Sequence, residues 1–353
     1  MSIIQDLIRN TDNIAVVFRQ ILEPVEGKSV AIFPPTYPAN KETSKHRMET
    51  PYTVNRPLSD GRFAYCDIDS VQSQANRMEM AIATTLGDLL PNHRVEAGSH
   101  IVGINELPHR IADAAIRATP LEEEIRKAFL EYSKGNPTLI ASLSPLSLLF
   151  GAWDSRDTQI KIPRVVRSEI RATQVDVLTR SAQFSGIFTK EDLKLSDEDW
   201  KEGANIGFAP TPSVDKHGGV VVHGEIIRTA SIHLGALRKY SLNAEDLLPC
   251  YLLGLAMAGV MESAKDYNLR SGCWLVPTPT SESNWTKVRT DGLRELIMLD
   301  GKKLVKETRE VAENWSRKTG ISLGGETISH IVDPERTNNM LHPSDKKKQT
   351  RSG

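Results

Sequence analysis

Residues 143–171 read LSPLSLLFGAWDSRDTQIKIPRVVRSEIR, two strand-like runs around a short loop. In the second run Ile160, Ile162, Val166 and Ile170 share one face at period two, while Lys161, Arg167 and Arg171 fall on the other. This spacing predicts a half-buried strand with a cationic outer face. Arg164 is in phase with the isoleucines, so its guanidinium must find a partner or snorkel to an edge. From 156 to 171 the basic side chains Arg156, Lys161, Arg164, Arg167 and Arg171 outnumber Asp157 and Glu169. The stretch is therefore locally positive in a chain whose formal net charge is −1. A basic stripe on a pleated surface suits a phosphate backbone, although arginine and lysine also decorate the wet side of ordinary antiparallel sheets.

Downstream, 186–218 reads as irregular, with an acidic patch from Glu191 to Glu202 that would repel a polyanion. Residues 219–234 read as one long strand, bulged at Gly224. The run 244–265 is apolar nearly all round and predicts a buried helix, CWLVPTP a strand, and 290–318 a last helix. Upstream, gaps near three and four from Ile4 to Leu22 predict an amphipathic helix, broken near Asn10–Asn13. SVAIF (29–33) and 62–68 read as strands, and Ser70 as the cap of a helix whose Val71, Ala75, Met78, Ile82 and Leu86 share a face. That helix would leave Gln72, Gln74, Asn76 and Arg77 near its anion-favouring N-terminus. Residues 92–105 predict a strand pair around Gly98 and Gly103, and 108–118 and 120–134 two helices.

The expected organisation is a single elaborated α+β domain over 1–333, with insertions near 34–61 and 176–218 and a disordered basic tail over 334–353. The proline-rich 34–61 segment carries the cluster Lys45, His46, Arg47. No apolar run reaches the roughly 18–20 residues of a membrane span, and no secretory leader pattern opens the chain, so a cytoplasmic protein is expected. Cys66, Cys250 and Cys273 lack disulfide or zinc spacing and are expected as buried thiols. Phosphate-loop, dinucleotide, zinc-protease and hydrolase motifs are absent, so neither a cofactor nor a resident metal is expected. His46, His217, His223 and His233 remain formal candidates for a general base, as do Asp154 and Asp157 for a metal or a ribose hydroxyl; each is more often an ordinary structural residue.

Taken together in this order and spacing, SVQSQANRMEMAI (70–82), SLLFGAWDSR (147–156), PRVVRSEIRA (163–172) and LRSGCWLV (269–276) resemble the CRISPR backbone subunit of type I-G Cascade, formerly type I-U, a RAMP protein of the Cas-seven family. The resemblance runs from about 28 to about 280. It implies a modified ferredoxin-like or RNA-recognition-motif palm with inserted finger and thumb elements. It also implies several copies coating one crRNA, guide bases presented to a target DNA strand, and contacts with other Cascade subunits. The matched positions are Ser70, Gln74, Asn76 and Arg77, then Trp153, Asp154 and Ser155, then Arg164, Arg167, Ser168 and Arg171. With Arg156 and Lys161 of the basic stretch, the expected RNA-binding set is Gln74, Asn76, Arg77, Arg156, Lys161, Arg164, Arg167 and Arg171. No catalytic residue is expected. The alternatives are a RAMP-type endoribonuclease that processes guide RNA or cleaves target RNA, and an unrelated small-molecule enzyme.

Overall fold

The computed structural model describes residues 2–37, 50–55, 58–184, 186–242, 245, 247–279 and 284–342. The chain opens with α1 (Ile3–Arg9) and β1 (Asn13–Pro24). After β2 (Phe63–Asp69), Ser70 caps α2 (Val71–Leu86), its hydroxyl accepting from the Ser73 N–H at 3.3 Å. The hairpin β3 (His93–Ala97) and β4 (His100–Gly103) turns at Gly98. Helices α3 (Ala114–Arg117), α4 (Glu122–Ser133), α5 (Thr138–Leu143) and α6 (Pro145–Phe150) follow. Next come β5 (Ala152–Trp153), β6 (Lys161–Ile162) and the long β7 (Val166–Phe184). The order continues with α7 (Asp197–Gly203), β8 (Thr211–Val222), β9 (Ile226–His233), α8 (Leu234–Arg238) and α9 (Leu247–Glu262). It closes with β10 (Tyr267–Arg270), β11 (Cys273–Pro277), β12 (Asn284–Arg289), β13 (Arg294–Ile297), α10 (Gly301–Thr319), β14 (Ile328–Ile331) and α11 (Pro334–Leu341).

The main sheet runs β10-β11-β1-β9-β7-β2. Taken in chain order, β1, α2, β7, β9, α9 and β11 make a β-α-β-β-α-β unit whose strands lie side by side as β11, β1, β9, β7, each antiparallel to its neighbour. This is the ferredoxin-like palm, and the α+β expectation is met. Val16, Phe18, Val166, Ala230 and Ile232 point from the sheet into one core with Met78, Ile82 and the whole of α9. That helix is buried without interruption from Leu248 to Val260. Its glycines permit the closeness: a Cβ on Gly259 would stand 2.7 Å from Ile82 Cδ1, and one on Gly254 3.0 Å from Thr308. All three cysteines are buried, and burial pushes the Cys66 and Cys273 thiols up to about 12.

Several expectations are corrected. Residues 3–22 form a short helix and then the central strand β1, because Ile14, Val16, Val17 and Ile21 are β-branched and the strand pairs with β9 along one edge and β12 along the other. Buried Gln20, which accepts from the Tyr267 hydroxyl, interrupted the period-two signal. The first run of 143–171 is helical through Phe150, and the second is two strands, parted at Pro163–Val165. Residues 219–234 fold back at His223–Glu225 as a hairpin of β8 and β9. Within 290–318, β13 precedes α10, with Gly292 at φ +86° in the β12–β13 turn. SVAIF makes a single bridge, Ile32 to Val220. Pro334–Leu341 is a helix where a disordered tail was expected: Asp333 caps it, Pro334 occupies its first turn, and Arg336 pairs with Glu122 at 2.8 Å. Lys45, His46, Arg47 and the tail beyond 342 lie outside the described residues. Among the described residues no helix is long and apolar enough to cross a membrane.

Candidate nucleic-acid interface

Because the palm's inner face alternates Val16, Phe18, Gln20 and Leu22 on β1, the residues between them take the opposite face. The registers align these into cross-sheet rows. Arg167, Ser231 and Val17 make one row, Glu169, Thr229 and Arg19 the next, and Asp67, Arg171, Ile227 and Ile21 a third. Arg167, Arg171 and Arg19 keep 59%, 42% and 50% of their side chains exposed. The predicted phase of β7 therefore holds: Val166, Ser168, Ile170 and Ala172 go in, and Arg167 and Arg171 go out.

The face is less positive than arginine spacing alone implied. Glu169 has the same parity as its neighbours and bonds Arg167 at 2.9 Å and Arg171 at 3.2 Å, while Asp67 takes Arg171 at 3.0 Å. Arg19 pairs with Glu225 at 3.0 Å. Exposed pairs of this kind are worth about 0–1 kcal/mol, so an incoming phosphate opens them at small cost. The Arg171 guanidinium also lies 5.2 Å from the centre of the Tyr65 ring, which is exposed at the β2 edge.

The first motif divides. Asn76 is exposed on α2. Gln74 is buried, its amide N–H donating to Asp69 at 2.7 Å and its carbonyl accepting from Ser168 at 2.9 Å, so it offers nothing to a ligand. Arg77 is turned inward as well, donating to Asp69 at 3.0 Å and to the Leu269 carbonyl at 2.6 Å. Both are corrected from RNA contacts to struts, because a buried carboxylate next to the helix cap demands charged and polar partners. The strut continues through Ser168 to Arg228, which is fully buried and also donates to Ser263 at 2.8 Å and to the Val260 carbonyl at 3.2 Å.

The second motif builds a rigid β5–β6 hairpin. The buried Asp154 carboxylate accepts from the Thr158 N–H at 2.9 Å, the Thr158 hydroxyl at 2.8 Å and the Asp157 N–H at 3.3 Å. Burial alone would raise this carboxyl; the Thr158 bonds and Arg117 at 3.9 Å hold it below its ordinary value. Asp157 pairs with Arg126 at 3.1 Å. Both carboxylates thus have structural work. Opposite Trp153, Lys161 lays its ammonium 4.3 Å from the ring centre, and Arg156 is exposed in the turn. At the hairpin's base Arg164 reaches an edge, its Nε donating to the Phe150 carbonyl at 3.2 Å. Desolvation and the nearby Arg110 guanidinium lower its pKa, against the pull of Glu79.

The expected insertion at 176–218 is a ribbon. Beyond Val175, β7 leaves the palm and pairs with β8 out to Phe184. Its root is clamped where Ile32 and Val220 exchange backbone bonds at 2.9 and 2.8 Å and the Gly219 N–H donates to the Tyr52 hydroxyl at 3.0 Å. Gly219 has φ +97°, and a Cβ there would meet the Ile32 carbonyl at 2.7 Å. Ile187, Phe188, Ile206 and Phe208 are exposed at the far end. The histidines are occupied: His223 bonds Asp176 at 2.7 Å, His233 accepts from the Ala236 N–H at 3.0 Å, and His217 stands edge-on to Tyr52. His46 lies outside the described residues.

Comparison with known proteins adds the following. The family model described as CRISPR-associated protein GSU0053 matches residues 16–177, from β1 to the point where β7 leaves the palm. Over that stretch the chain is similar to this family, in line with the resemblance. No curated protein matches the chain. Among solved structures, a chain of a "CRISPR RNA-guided surveillance complex, pre-nicking" is similar at TM-score 0.41 and 11% identity, covering 94% of this chain and 100% of that one. The Methanopyrus kandleri Csm3 crystal structure is similar at TM-score 0.34 and 10% identity, covering 85% and 98%. Neither likeness is close enough to carry a functional conclusion.

Proposed function

We propose, from the similarity of residues 16–177 to a CRISPR-associated family, that the chain is a crRNA-binding backbone subunit of a type I Cascade surveillance complex, of the type I-G kind. Several copies line one guide RNA, hold its sugar-phosphate chain and leave its bases to pair with a target DNA strand. Other Cascade subunits dock on this filament. The family match carries the reading, because the matched segment contains Asn76, the β5–β6 hairpin and the outward Arg167 and Arg171. Arg19, Arg156, Lys161 and Arg164 complete the proposed phosphate-contacting set. The ribbon of β7 and β8 reaches the neighbouring copy, with its apolar end as the contact. The subunit itself does not cut RNA.

Phosphate contacts give affinity without reading sequence. Replacing Arg167 and Arg171 together by Ala is expected to weaken guide binding about equally for unrelated spacers. Two lost phosphates lower the log–log salt slope by about 1.4, at about 0.7 per phosphate on a single strand. Filter binding across a salt series reads both quantities. Unchanged affinity and slope in a variant with native circular dichroism would show that the face is merely solvated. Magnesium-dependent cleavage of guide or matched RNA by the purified wild type would remove the non-catalytic part of the reading.

A further inference from the structure

We infer that the β5–β6 hairpin is a base-stacking platform: Trp153 receives one unpaired RNA base, and Lys161 and Arg156 hold the adjoining phosphates. This rests on the RNA-binding function proposed above and assigns one contact within it. Trp153 is 52% exposed although it belongs to a strand pair, so a large part of an indole stands in water. Trp285 and Trp315 are only 2% exposed, and Trp274 on β11 is 47% exposed but, unlike Trp153, has no cation laid over its ring among the described residues. Exposure here does not follow from mobility. The Asp154 carboxylate closes the turn with its bonds to Thr158 and Asp157, the Asp154 N–H donates to the Ile160 carbonyl at 3.1 Å, and buried Ile162 roots the hairpin in the core. A rigid, exposed ring loses little entropy when a flat partner covers it.

The charges around the ring select the partner. Asp154 is buried and Asp157 is tied to Arg126, which leaves Lys161 and Arg156 as the outward charges of the hairpin; among the described residues neither forms an ion pair. Lys161 stays over the indole, placing a cation beside the stacking surface. An aromatic ring flanked by cations fits a nucleobase with its phosphates, whereas an apolar protein segment gains nothing from the two ammonium and guanidinium groups. Residues 163–165 join the hairpin directly to Arg167 on the palm, so the platform continues the arginine rows.

The test measures binding of a labelled single-stranded RNA of guide length by the full chain, using fluorescence anisotropy, for wild type and for Trp153→Ala, Trp153→Leu and Trp153→Phe. Loss of one stacked base is expected to weaken binding about 5- to 150-fold in the Ala and Leu variants. The Phe variant keeps most of the affinity. The salt slope stays at the wild-type value in all three, because no phosphate contact is removed, while Lys161→Gln lowers it. An abasic residue scanned along the RNA weakens the wild type at a recurring position and adds nothing to Trp153→Ala there. If wild type binds tightly and the Leu and Ala variants, native by circular dichroism, bind equally well, the platform is overturned and the RNA-binding function stands. That result together with lost association between subunits assigns the hairpin to a protein contact instead. If the wild type fails to bind RNA at all, both fall.

Discussion

Replacing Glu79 by Ala is expected to destabilise the protein by about 3–5 kcal/mol, because it leaves the Arg110 guanidinium buried without a counter-charge. Both residues are 8% exposed. Arg110 grips the carboxylate with two nitrogens, Nη2 at 2.8 Å and Nε, and gives Nη1 to the Gly151 carbonyl at 3.1 Å. Burial pushes the Glu79 carboxyl up, and Arg110 first, then Arg164, pull it back. Arg110 itself sits at φ +52°, so the surrounding packing fixes its backbone and leaves it little freedom to escape to water. The pair holds α2 against the segment before α3 and the end of α6, and so sets where the β5–β6 hairpin begins. Urea unfolding should show a lower midpoint with an unchanged slope. Exchanging both partners for apolar residues of similar volume should recover most of the loss, since the cost lies in the orphaned charge. A loss below about 1 kcal/mol in Glu79→Ala would mean that Arg110 finds solvent.

Trp315→Ala is expected to cost about 3–5 kcal/mol through the cavity it leaves. Trp315 is 2% exposed, and its indole stacks on Tyr251 at 4.9 Å and 14°. The Tyr251 hydroxyl in turn donates to the Leu89 carbonyl at 2.6 Å, so the stack couples α10, α9 and the turn that follows α2. Burial alone raises the Tyr251 pKa, consistent with a phenol that never meets water. None of these groups reaches the outward arginine rows. Affinity for guide RNA per folded molecule should therefore stay at the wild-type value, while the urea midpoint falls. By contrast Trp153→Ala should change stability by only about 0.5 kcal/mol, as exposed substitutions do, and so move the midpoint little. Equal midpoint losses in the two variants would contradict the assigned burial.

Period-two spacing was legible wherever one face is dry and the other wet. On β7 it separated Val166, Ile170 and Ala172 from Arg167 and Arg171, and it also held Glu169, whose parity places it between the arginines as their acceptor. The Ser70 cap and the apolar helix α9 were equally plain, since a cap and an unbroken apolar run have few other solutions. What failed was the strand at the centre of the palm. In β1 both faces carry apolar side chains, Val17 and Ile21 outward and Val16, Phe18 and Leu22 inward, with Gln20 buried among them, so three- and four-residue gaps arose by coincidence. Arg19 was hidden with it. Gln74 and Arg77 were misassigned for a different reason: their partners Asp69, Ser168 and Leu269 are distant in sequence or belong to other elements, and only tertiary pairing shows that these polar groups are occupied. The β8–β9 turn was missed because Gly224 serves a bulge and a hairpin alike.

If copies of this chain coat a guide, the length of the RNA must set their number. A head-to-tail contact whose operator includes a translation builds an open filament and never closes on itself. The most direct measurement is therefore the mass, by light scattering, of the complex formed on guide RNAs of two lengths. The expected result is a defined mass on each guide, larger on the longer one by whole subunits. A single mass that ignores guide length, as a closed ring would give, would contradict the proposed backbone function.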